Sequence, residues 1–151
     1  REILHDSIDH VKKFHPFTIL AFCVLPNHIH FLLELPENDA DYSMSISQIK
    51  RRFSIHYCAK IKNPIPKNNS RKKRRESTIW QRRFYEHFIR DDADLNRHID
   101  YIHYNPVHHG YVASVCDWED SSFYDYVKQG YYDLSWGDEF DIDEKRYQFG
   151  E

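Results

Sequence analysis

Apolar positions near the start of the chain recur at helical steps. In ILHDSIDHVKKF, residues 3–14, Ile3, Leu4, Ile8, Val11 and Phe14 form one apolar stripe. Pro16 ends that helix, because proline cannot donate the next helical hydrogen bond. The period then changes. FTILAFCVL, residues 17–25, is rich in β-branched and aromatic residues, breaks at Pro26-Asn27 and resumes as HIHFLLEL, which predicts two antiparallel strands joined by a tight turn. Residues 43–60 open on serines and space Ile46, Ile49, Phe53 and Tyr57 as on a helix, with Lys50, Arg51 and Arg52 forming a basic flank. RFYEHFI, residues 83–89, predicts a third strand. Asp91 and Asp92 then offer cap carboxylates to a helix through Leu95, Ile99 and Ile102, stopped by Pro106 just after Asn105. A short helix is expected from Phe123 to Lys128 and no clear element after Trp136.

This order of elements is α+β. It matches a ferredoxin-like (RRM-like) βαββαβ sandwich with an antiparallel sheet, its first strand missing from this chain, since Arg1 opens directly into a helix. A chain of 151 residues, 40% hydrophobic and 16% aromatic, has material for one core, so one domain is expected over residues 1–111. Residues 112–151 read as an acidic C-terminal extension that packs on the domain or trails from it. No stretch approaches the roughly 20 apolar residues of a membrane span, and no signal-peptide core opens the chain, which predicts a cytoplasmic protein. Cys23, Cys58 and Cys116 lack CxxC spacing and are expected to be reduced core thiols.

Charge changes the picture. Residues 1–111 carry a net +5 and residues 112–151 a net −8, and within residues 50–90 there are 14 basic against 2 acidic side chains. Residues 61–78, with the run Arg71, Lys72, Lys73, Arg74 and Arg75, hold little to bury and read as a mobile basic loop. Such a concentration calls for a polyanion. Lys50, Arg51, Arg52, the Arg71–Arg75 run, Arg82 and Arg83 are the candidate phosphate contacts. Trp80, Phe84 and Tyr85 lie among them and could stack on unpaired bases, although Phe84 is better suited to the core. A solvated charged loop is the plain alternative.

Candidate chemistry centres on two short motifs. In His28-Ile29-His30 the two-residue strand period sets both imidazoles on one face, with Ile29 turned into the core. Two neutral imidazoles so placed can grip a divalent cation, yet metals usually require a third ligand, and HxH alone fits a pair of surface histidines. In DYIHYNP, residues 100–106, Tyr101 and Asn105 are four apart and share a helical face; one offers a phenol, the other an amide oxygen. Alone, that segment fits an ordinary amphipathic tyrosine and a helix stop. Together the motifs make tyrosine attack on a phosphodiester feasible, because a cation stabilises phenolate and polarises phosphate. Glu86 and His87, on the third predicted strand, are possible accessory groups at the metal or a nucleotide. His103, His108 and His109 crowd the same region and receive no catalytic role, with phosphate contact a minor alternative.

LPNHIHFLLELPE, IKRRF, IWQRRFYEHFIRDDADLNRHIDYIHYNPVHHGYV and DWEDSSF, in that order over most of residues 17–124, resemble the REP-associated tyrosine transposases, a group of single-tyrosine HUH transposases. The resemblance implies a catalytic domain over residues 1–111, with His28 and His30 as HUH metal ligands, Asn105 as the third ligand and Tyr101 as nucleophile. It implies Mg²⁺ or Mn²⁺ as cofactor and, as substrate, single-stranded DNA bearing a REP-type hairpin. Cleavage and rejoining would pass through a 5′-phosphotyrosine, in a bacterial, nucleoid-associated protein acting as monomer or homodimer. Relatives begin with a sheet strand before the first helix, a departure that puts sheet integrity in question. Two rivals stand beside this reading. One is a non-catalytic module that binds hairpin nucleic acid by charge and stacking. The other is a hydrolase in which the HxH metal and a carboxylate such as Glu86 activate water.

Overall fold

A computed structural model describes residues 1–38, 41–61, 79–81 and 84–138. The described residues within Arg1–Phe17 and Leu35–Glu86 make one compact unit, and those within Thr18–Glu34 and His87–Glu151 another. No helix among them is long and apolar enough to cross a membrane. The basic stretch 62–78, Arg82 and Arg83 lie outside the described residues.

The first unit pairs two helices, α1 (Glu2–Lys12) and α2 (Tyr42–Lys60). Helix α1 buries Leu4, Ile8 and Val11 of the expected stripe together with Ser7, Ile3 is half-buried, and Phe14 falls past the helix end and is exposed. Asp41 caps α2 by accepting from the Met44 N–H at 3.0 Å. Ile49 is buried on α2, and Phe53 stacks on Tyr57 while meeting Trp80 edge-on at 5.2 Å. Cys58 lies exposed on this helix, so it is not the core thiol expected of it.

The second unit is built on an antiparallel pair, β1 (Thr18–Val24) and β2 (Ile29–Glu34), joined by a turn closed by the Leu25 N–H on the His28 carbonyl at 2.9 Å. Ala21, Cys23 and Leu25 from one side and Leu32 from the other bury against Ile99 and Ile102 of α3 (Asp92–His108). Burying each of Leu25, Leu32, Ile99 and Ile102 is worth about 1.5–3 kcal/mol. His30 pairs with Cys23 and is two residues from Leu32, so it shares the face that α3 covers. Ile29 falls on the opposite face and is only half-buried, contrary to the expectation that it would enter the core. Burial pushes the Cys23 thiol up to about 12, which leaves it inert.

Two sequence expectations fail here for local reasons. Residues 84–90 form no strand. Phe84, Tyr85 and Phe88 are exposed, and the Arg90 N–H, which a ladder would need, donates to the Asp94 carboxylate at 3.1 Å. Together with Asp91, which accepts from the Asp94 N–H at 2.7 Å, this closes the start of α3 with side chains instead of a sheet. Pro106 does not stop α3 either. In the last turn its missing N–H removes one bond only, and the helix runs on to His108. The stop is Gly110, at φ 68°, where the Gly110 N–H reaches the Val107 carbonyl and the Tyr111 N–H reaches that of Pro106, both at 2.9 Å.

Beyond α3 the chain makes a 3₁₀ turn (Val115–Asp117) and helix α4 (Phe123–Lys128). Between them, residues 120–122 run along the edge of β1 that β2 leaves open. The Val24 N–H donates to the Asp120 carbonyl at 2.8 Å, and the Ser122 N–H to that of Phe22 at 3.0 Å. Phe123, Tyr126 and Tyr132 then gather around the buried ring of His103 on α3, and Trp136 stacks on Tyr132.

Candidate active site

His28 and His30 come from the turn and start of β2, and their Nε2 atoms lie 3.0 Å apart. The tautomer of His28 is set from behind. Its Nδ1 is 2.7 Å from the Asn27 amide oxygen, which only accepts, so Nδ1 carries the proton and the Nε2 lone pair faces His30. Two nitrogens held about 2.1 Å from one cation and about 90° apart would be separated by about 3 Å, so this spacing fits a shared divalent ion.

Across from the pair, α3 presents Tyr101. Its ring stands edge-on to His30 at 5.6 Å and is 6% exposed, buried by the helix and sheet that position it. One turn further, Asn105 is fully buried, and among the described residues neither its amide oxygen nor its amide nitrogen has a hydrogen-bond partner. Leaving such atoms unpaired costs about 1–3 kcal/mol each, which is a reason to expect a ligand for the oxygen. Tyr101, Asn105 and His108 follow at steps of four and three, one face of the helix.

The residues that sequence reasoning left without a role are the next neighbours. The His109 ring meets His28 at 5.1 Å, and His108 meets Tyr101 at 6.3 Å and His109 at 5.3 Å. Their one signal in the sequence was position, just before the glycine that ends the helix. Asn27 carried none beyond its place in the turn. His103, only two residues from Tyr101, points the other way, its Nε2 2.7 Å from the Ser122 hydroxyl, and burial pushes its pKa down to about 4.

The accessory candidates have other occupations. The Glu86 carboxylate accepts from the Tyr42 hydroxyl. His87 donates to Asp94 at 2.8 Å and stacks on His98 at 4.4 Å. His87, Asp94 and His98 also bring ligand atoms within 4.8 Å of one another, a spacing that could hold a metal ion. Charge opposes that use. The Asp94 carboxylate already pairs with Arg97 at 3.3 Å and receives His87 and the Arg90 backbone and side chain, and these last contacts, His87 first, hold it well below the usual carboxylate range. The cluster reads better as the clamp on the start of α3.

In the other unit, Lys50 donates to the Gln81 carbonyl at 2.6 Å and lies over the Phe84 ring at 5.8 Å. Burial lowers its pKa. Arg51 is exposed and Arg52 half-buried on the same helix. Phe84, expected in the core, is 43% exposed and Tyr85 62%. Arg71, Lys72, Lys73, Arg74, Arg75, Arg82 and Arg83 fall outside the described residues.

Residues 1–105 match the family described as transposase IS200 like. A REP-associated tyrosine transposase, so named in Haemophilus influenzae, is 49% identical over 133 residues, which span 85% of this chain and 71% of that one. The REP-associated tyrosine transposase of Escherichia coli is 41% identical over 135 residues, 89% of this chain and 72% of its own. A solved structure of a REP-associated tyrosine transposase bound to a REP hairpin superposes with a TM-score of 0.76 at 39% identity, covering 94% of this chain and 76% of the other. With a tyrosine beside a histidine pair on this α+β frame, the chain belongs to the IS200-like transposase family, among the REP-associated tyrosine transposases.

Proposed function

We propose that the chain cleaves and rejoins single-stranded DNA beside a REP-type hairpin, with Tyr101 as nucleophile and Mg²⁺ or Mn²⁺ held by His28, His30 and Asn105. The observation that carries this reading is Tyr101 standing edge-on to a histidine whose Nε2 faces that of its partner at 3.0 Å. The donor set suits a borderline or hard divalent ion: two imidazoles and one amide oxygen that has no hydrogen-bond partner among the described residues. Such an ion, when bound, polarises a phosphate oxygen and favours phenolate.

The chain's own groups do the rest. Asn27 keeps His28 in its ligating tautomer. The Tyr101 oxygen attacks the phosphorus, the bond from phosphorus to the 3′ oxygen breaks, and that oxygen leaves as a hydroxyl after taking a proton. The 5′ side remains on the protein as a 5′-phosphotyrosine. Because the phosphodiester energy is kept in that bond, an incoming 3′-hydroxyl can reverse the reaction without ATP.

The structural relative solved on a REP hairpin supports hairpin DNA as the partner. Lys50, Arg51 and Arg52 on α2, with Arg71, Lys72, Lys73, Arg74, Arg75, Arg82 and Arg83, supply charge for its phosphates. Incubation with labelled hairpin-bearing single-stranded DNA and Mn²⁺, followed by a denaturing gel, tests the reading. Wild type should give a slow protein-bound label and Tyr101→Phe none. Binding without any adduct in wild type would favour the hairpin-binding module, and cleaved DNA without adduct would favour metal-activated water.

A further inference from the structure

The ring contacts that start at the histidine pair do not end there. From His28 they pass to His109, from His109 to Tyr111 at 5.9 Å and 35°, and from Tyr111 to Trp118, stacked at 5.8 Å and 28°. Tyr111 and Trp118 lie in HHGYV and DWEDSSF, two stretches the sequence singled out and to which neither the nucleophile nor the histidine pair gives a task.

Both residues are held in place from behind. The Tyr111 N–H is bonded to the Pro106 carbonyl by the turn at Gly110, so the backbone that carries this ring is fixed to the end of the helix that bears Tyr101. Trp118 donates its indole N–H to the Val24 carbonyl at 3.2 Å, which ties it to the end of β1 beside the His28 turn. Tyr111 is nevertheless 42% exposed. An aromatic ring fixed at its backbone, backed by a second ring and open to solvent has already lost the conformational freedom that binding would otherwise cost. Its chemistry suits a flat, uncharged π-surface, and the neighbouring Asp117 and Glu119 disfavour a phosphate there.

We infer that Tyr111, backed by Trp118, is a stacking shelf for one unpaired nucleobase of the strand that flanks the scissile phosphate, two ring steps from His28. The inference rests on the proposed reading that single-stranded DNA enters the Tyr101 site, and it adds a base subsite to it. One stacked base fixes the strand's register at the nucleophile without reading hydrogen bonds, so the shelf positions more than it selects.

The test uses binding alone, in a Tyr101→Phe background, so that a failure of the chemistry cannot be mistaken for a failure of the shelf. Affinity is measured for a hairpin with its single-stranded flank and for the same hairpin without it, and 2-aminopurine is walked through the flank. Replacing Tyr111 by Ala should weaken flanked DNA about tenfold to a hundredfold, the size of one lost base–aromatic stack. It should leave the bare hairpin unchanged and restore the fluorescence of one 2-aminopurine position. Tyr111→Phe should behave as the parent, since the hydroxyl is not needed. Equal losses on both DNAs, no loss on either, or failure of Phe to substitute would each overturn the shelf.

Discussion

Gly137 offers a clean measure of how firmly the region beyond α3 is built into the second unit. Its φ is +93°, and a Cβ placed there would sit 2.9 Å from Val115 Cγ2 and 3.3 Å from Tyr104 Cδ2. Val115 is 1% exposed and has nowhere to turn. Gly137→Ala therefore meets two separate costs: about 1–2 kcal/mol for an L side chain at positive φ, and about 1–3 kcal/mol for overpacking against a buried neighbour. The total, about 2–5 kcal/mol, corresponds to a fall in Tm of roughly 10 °C for a chain of this size. Gly110→Ala is the matched control, because it shares a positive φ of 68° but has no atom within 4 Å of the added carbon. It should lose only the first cost. Thermal and urea unfolding of both variants decides the matter. If the two fall by the same amount, the contact among Gly137, Val115 and Tyr104 carries no energy and residues 112–138 are not packed as described.

Other outcomes follow from the same geometry. The His103 pKa, lowered to about 4 by burial, lies below its unfolded value, so stability is complete above about pH 6.5 and falls as pH drops from there toward 4. The loss should be about 2 kcal/mol by pH 5. Urea midpoints at pH 7 and pH 5 should show it in wild type, and an equal slope in His103→Gln would remove His103 as the cause. His28→Ala and His30→Ala should abolish Mn²⁺-dependent adduct formation while keeping most hairpin affinity, as EDTA should in wild type; undiminished cleavage in EDTA would contradict the metal role. Asn27→Ala releases the His28 tautomer and should weaken Mn²⁺ binding by about tenfold to a hundredfold, read by calorimetry, whereas an unchanged affinity would mean that the Asn27 contact does not orient the ligand.

Regular periods made most of the frame legible. The stripe of α1 from Leu4 to Val11, the two strands around the Pro26-Asn27 turn and the spacing of Leu95, Ile99 and Ile102 appear where expected, while Phe14 falls outside its helix. RFYEHFI misled because its aromatic content mimics a strand, while the decisive partner of its backbone, the Asp94 carboxylate, comes from the following helix. Pro106 misled because a proline in a last turn removes little, and Gly110 held the real stop. Of the candidate site, spacing made two pairings legible, His28 with His30 across one strand step and Tyr101 with Asn105 on one helix face. What brings His109 against His28 is the packing of α3 on β2, a contact across 81 positions that no local pattern encodes. The face of Ile29 was misjudged for the same reason, since alternation says which residues share a side but not which side is covered.

The short run at residues 120–122 also has a practical consequence. The charge of the chain changes sign near residue 112, which invites trimming there to obtain a purely basic, DNA-seeking fragment. Such a cut would strip β1 of the Asp120 and Ser122 backbone partners and leave a bare row of amides and carbonyls beside an apolar strand. Exposed strand edges of that kind recruit copies of themselves. The shortened protein should come out of solution by edge-to-edge association, and its behaviour would be misread as a solubility effect of lost negative charge. An experiment intended to probe the acidic residues should therefore keep the chain through Gly137 and remove or neutralise only the acidic side chains that follow.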